Sequence, residues 1–70
     1  MDYVDLLVVA MKKENLSCKL YTRLAALAQR KELRDIFLKL AQEEAGHKVR
    51  FEFEYDWETF GANRKIKRQS

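Results

Sequence analysis

Leu40-Ala41-Gln42-Glu43-Glu44-Ala45-Gly46-His47-Lys48-Val49-Arg50-Phe51 is the stretch on which the fold turns. Taken with the residues before it, Leu33, Phe37, Leu40, Glu44, His47 and Phe51 recur at alternating steps of four and three, the stripe of a helix that buries one side. Two members of that stripe are a carboxylate and an imidazole. A charge buried without a partner costs several kcal/mol, roughly, so this face requires a compensating ion or hydrogen bonds. Glu44 and His47 lie one helical turn apart, a spacing at which both side chains reach a common ion.

The preceding half of the chain carries a matching pattern. Val4, Leu7, Met11, Glu14, Cys18, Tyr21, Ala25 and Ala28 keep steps of three and four, with Glu14 the one charged member. Asp2 is the expected N-cap, which places helix 1 at about residues 3–28. Between Gln29 and Glu32 there is neither Pro nor Gly, so one continuous helix has to be weighed. The phase argues against it. Continuing the first stripe leads to Glu32, Asp35, Lys39, Gln42 and Gly46, whereas the second stripe is displaced by two residues, about 200° around a helix. A turn near Ala28–Lys31 brings the two stripes face to face, which predicts an antiparallel hairpin. Measured from that turn at 1.5 Å per residue, Glu14 sits about 24 Å up helix 1, level with the gap between Glu44 and His47 on helix 2. Three polar residues set in apolar stripes therefore meet at one height.

Residues 51–58 alternate with period two, a strand pattern, but a lone strand has no partner here and Phe51 with Tyr55 fits a helical pair. The expectation is helix 2 over about residues 32–59, its remaining aromatics (Phe53, Trp57, Phe60) capping the hairpin or touching another subunit. Gly61 is expected to end the helix, leaving residues 61–70 as a disordered basic tail.

Composition bounds the rest. Seventy residues make one small domain, with only about 60% of the unfolded surface buried. Cys18 is alone, so no disulfide is available, and no zinc-finger cluster exists. No Pro, two Gly and an abundance of Leu, Ala, Lys, Glu and Arg indicate an all-α protein. The net charge of +3 is uneven: residues 1–60 carry ten Lys/Arg against eleven Asp/Glu, and Arg64, Lys65, Lys67 and Arg68 supply the excess. Such an end is read as solvated, with nucleic acid not the expected partner. No apolar run approaches the roughly 20 residues of a membrane span and no signal-peptide pattern is present, so a cytoplasmic setting, a protein compartment included, is expected.

Two segments together resemble one half of a ferritin-like domain, nearest the rubrerythrin group. They are Glu14-Asn15-Leu16-Ser17-Cys18-Lys19-Leu20-Tyr21-Thr22-Arg23-Leu24-Ala25 and Phe37-Leu38-Lys39-Leu40-Ala41-Gln42-Glu43-Glu44-Ala45-Gly46-His47. The resemblance covers about residues 4–55 and implies a four-helix bundle holding two iron ions. It implies Glu14 as a terminal metal ligand, Glu44 as a bridging one and His47 as a nitrogen ligand, these three being the catalytic set. Tyr21 would hydrogen-bond a ligand carboxylate. The chain departs from the family in supplying two helices rather than four, and in lacking the Cys-rich rubredoxin site. A twofold homodimer or larger homo-oligomer restores the ligand number, as in the half-bundles of encapsulated ferritins. Losing the rubredoxin part leaves a separate electron donor to be supplied.

Four buried carboxylates in such a dimer carry a charge of about −4, which two divalent ions cancel. Carboxylates with one imidazole per ion suit Fe(II) or Mn(II) better than Zn(II). The implied function is oxidation of Fe(II) with O2 or peroxide by a di-iron oxidoreductase. The alternative is a non-catalytic helical hairpin that dimerises or docks on a partner, with Glu14, Glu44 and His47 as a polar network fixing helix register. On that reading Tyr21 is a core aromatic; Cys18 is read as a small buried hydrophobe on either.

Overall fold

The computed structural model describes the backbone of residues 1–69 and the side chains of residues 1–61. It consists of two helices, α1 (Tyr3–Leu27) and α2 (Lys31–Gln69), packed against one another as an antiparallel hairpin. No strand occurs among the described residues, so the period-two alternation of residues 51–58 lies on a helix, as expected. No helix there is long and apolar enough to cross a membrane.

Asp2 caps α1. Its Oδ1 accepts from the Asp5 amide at 2.9 Å, and the Asp5 carboxylate accepts in return from the Asp2 amide at 3.4 Å. This reciprocal pair satisfies two amides that have no partner inside the helix, and it puts negative charge at the positive end of the helix dipole. At the other end Ala28 turns to extended backbone (φ −67°, ψ 129°) while its amide still donates to the Leu24 carbonyl at 2.9 Å. Two further residues complete the reversal, and the Arg34 amide bonds the Arg30 carbonyl at 3.1 Å to open α2. The phase break in the apolar pattern marks this turn although neither Pro nor Gly is present.

Every member of the α1 stripe is buried or half-buried, with Leu7, Glu14 and Ala25 the most enclosed. On α2 Ala41 and Gly61 are enclosed, with Phe37, Leu40, Glu44 and Phe51 half-buried. Leu33 and His47 are more exposed than an interior stripe requires. The covered face of α2 is centred on the side of Ala41 and Glu44, and one flank, including His47, is left open.

α2 is longer than the sequence pattern suggested. It passes residue 59, continues through Gly61 and extends to Gln69, so the expected helix stop at Gly61 does not occur; Ser70 lies outside the described residues. Gly61 does not adopt a positive φ. It is buried beneath the Trp57 ring, and a Cβ there would lie 3.1 Å from Trp57 Cδ2. Its small size serves the seating of an indole one turn earlier, and an α-helix tolerates such a glycine at roughly 1 kcal/mol. The Tyr3 hydroxyl donates to Glu54 Oε1 at 3.0 Å and fixes the start of α1 against α2. Beyond Glu54, α2 runs on for fifteen residues past the point where α1 begins.

Candidate metal centre

Glu14 comes from the middle of α1, and Glu44 and His47 from one turn of α2. The hairpin brings all three together. One ligand-type atom of each lies within 4.8 Å of the others, which is the convergence that measuring from the turn anticipates. His47 Nδ1 stands 3.4 Å from Glu14 Oε2 and 3.8 Å from Glu44 Oε1. Their exposure is graded: the side chains of Glu14, Glu44 and His47 are 11%, 20% and 52% accessible. The site is therefore closed at the α1 side and open at the imidazole.

Electrostatics within the cluster are unfavourable without a cation. Glu14 Oε2 is shut off from solvent and has no hydrogen-bond partner. The His47 nitrogen is near enough for electrostatic contact but does not form a hydrogen bond with it. Hydrogen bonding to the Glu14 carboxyl raises the pKa of Glu44, with burial and the Glu14 charge adding to the effect. His47 and Lys13 oppose it. One carboxylate thus resists ionisation because a second occupies the same space. Oxygen donors left unsatisfied, with one imidazole nitrogen at the rim, are the donor set of a hard or borderline divalent ion.

A family model described as Rubrerythrin matches residues 5–67, nearly the whole chain. The chain belongs to the rubrerythrin family. No curated protein and no solved structure matched it. Rubrerythrin membership implies a di-iron carboxylate site and iron binding, and the residues gathered here fit: their chemistry is right, and the orphaned Glu14 oxygen marks where a positive charge is missing.

Tyr21 lies on the interior stripe of α1 with Glu14. It is half-buried, but its hydroxyl makes no hydrogen bond to either carboxylate in the single hairpin. Seven residues from Glu14, it lies about 10 Å further along α1. Cys18 is a half-buried free thiol. Two contributors escaped sequence reasoning. Lys13 lowers the Glu44 pKa; its signal was adjacency to Glu14, which on a helix does not ordinarily put two residues on one face. The Tyr3–Glu54 bond had no signal, since it depends on where α1 starts relative to α2.

Proposed function

We propose that two copies of this hairpin pair to enclose a dimetal centre in which each contributes Glu14, Glu44 and His47, and that the centre oxidises Fe(II) with O2 or peroxide. The observation that carries this reading is the buried, unbonded Glu14 Oε2 at the heart of a three-residue ligand cluster. A metal-free polar network fixing helix register would have satisfied that oxygen.

Glu14 supplies a fixed negative charge from the closed side. Glu44 adds a second carboxylate from α2, and because hydrogen bonding to Glu14 raises its pKa, protons compete with a cation for it. His47 offers nitrogen at the open rim, where a second copy would approach and exclude water. Fe(II) held by Glu14, Glu44 and His47 would supply the electrons for reduction of O2 or peroxide.

The test is elemental analysis of the purified protein after anaerobic Fe(II) loading, followed by near-UV absorbance on admitting O2. Two iron ions per dimer and oxidation faster than in buffer are expected, with both lost in Glu44→Ala. A folded assembly that holds no transition metal and is indifferent to chelators sinks the proposal and leaves a non-catalytic dimerisation module.

A further inference from the structure

The open flank of α2 carries a self-complementary order of side chains. Ile36, Glu43, Arg50 and Trp57 recur at seven-residue intervals, which places them along one side of the helix. Each stands one turn before a member of the row Leu40, His47, Glu54 and Gly61. His47 reaches the ligand cluster from that row and Glu54 bonds Tyr3 from it, so the flank borders the open side of the site. Ile36 and Trp57 are 53% and 48% exposed. Glu43 and Arg50 are exposed, and neither forms an ion pair with a described residue.

The four positions are symmetric about a point between Gly46 and His47. Glu43 and Arg50 lie about 5 Å to either side of it along the axis, and Ile36 and Trp57 about 16 Å. Set against an antiparallel copy of itself about that point, the flank puts Glu43 opposite Arg50 and Ile36 opposite Trp57, each pair made twice. A parallel copy would instead oppose Glu43 to Glu43 and Arg50 to Arg50. The centre of symmetry also falls within the turn that holds Glu44 and His47, so the two ligand clusters come level. Gly46 stands beside it, mid-helix, with nothing within 4 Å of where its Cβ would be. A glycine there weakens the helix by roughly 1 kcal/mol and lets another backbone approach closely.

The area is sufficient. The chain exposes 5845 Å², whereas a compact monomer of 8.4 kDa exposes roughly 4600 Å². The excess is more than the roughly 800 Å² that each partner gives to an interface of standard size.

We infer that the partner completing the metal site is a second copy docked antiparallel along α2, with Glu43 paired to Arg50 of the partner subunit, Ile36 against Trp57 of the partner subunit, and Gly46 at the crossing. This pairing rests on the proposed shared site for its purpose, but its register is set by residues outside the ligand set.

Sedimentation equilibrium on the full chain tests it, run with chelator and again with Mn(II). Glu43→Arg and Arg50→Glu should each weaken the dimer about tenfold or more, by turning two attractive pairs repulsive. The doubly swapped chain should recover wild-type association, and the two single variants should associate with each other when mixed. Gly46→Leu should abolish the dimer while helical circular dichroism is retained. A monomer under both conditions, single swaps without effect, or a double swap as weak as the singles overturns the pairing. Metal content of the same samples separates the two proposals. A dimer that obeys the swaps and binds no metal sinks the function alone; a metal-loaded dimer indifferent to them sinks the register alone.

Discussion

Replacing Glu14 by leucine is expected to stabilise the metal-free hairpin, by about 1 kcal/mol or more, while removing its affinity for iron. The side chain has little access to water and one oxygen has no partner, so an apolar group of similar volume suits the folded state better. Thermal melts in chelator, set beside metal content, would show the two effects moving in opposite directions. Glu44 sets the pH response. Its pKa is raised above the ordinary glutamate value of 4.5, mainly through hydrogen bonding to Glu14, so the folded chain holds that proton more tightly than the unfolded one. Folding takes up a proton in this window, and linkage makes stability fall as pH rises. The contribution is fully present below pH 4.5 and is lost as pH climbs through the raised value. Denaturant melts of metal-free protein across this range should show that decline, and Glu44→Gln should flatten it. Metal affinity should run the other way, rising with pH as the competing proton leaves.

The two helices differ in how legible they were. The turn between them announced itself through stripe phase alone, because apolar residues displaced by two positions cannot share a face of one straight rod. The Asp2 cap was legible for a local reason, and Asp2→Ala should cost about 1 kcal/mol in a thermal melt by leaving the first-turn amides unpaired. The meeting of Glu14 with Glu44 and His47 followed from counting residues outward from the turn. The end of α2 was misread because glycine carries two meanings, a left-handed stop or a space for a neighbour, and only the position of the Trp57 ring distinguishes them. The exposure of His47 was misread because a stripe says which residues face inward together without saying how widely one partner helix covers them. Tyr21 was placed on the interior face, where it is half-buried. Tyr3→Phe should loosen the open end of the hairpin, seen as faster amide exchange in the first turns of α1, since it removes the bond to Glu54.

As a whole the hairpin is a slab with principal extents of 55 × 28 × 11 Å and a radius of gyration of 16.4 Å, against about 11 Å for a compact chain of this length. Its thickness is that of one helix. No described side chain is completely enclosed, and the most buried apolar residues are Leu7, Ala25 and Ala41, two of them alanines. A layer this thin has water on both faces until something else covers one. On the proposed pairing with a second copy, its folding equilibrium is tied by mass action to the amount of protein present. The melting temperature should climb by several degrees for each tenfold rise in protein concentration, whereas a chain that folds alone would show no change. For a slab paired in that way dilution would itself be a denaturant, and any confinement that raises local number density would do the work that a thicker core performs in other small proteins.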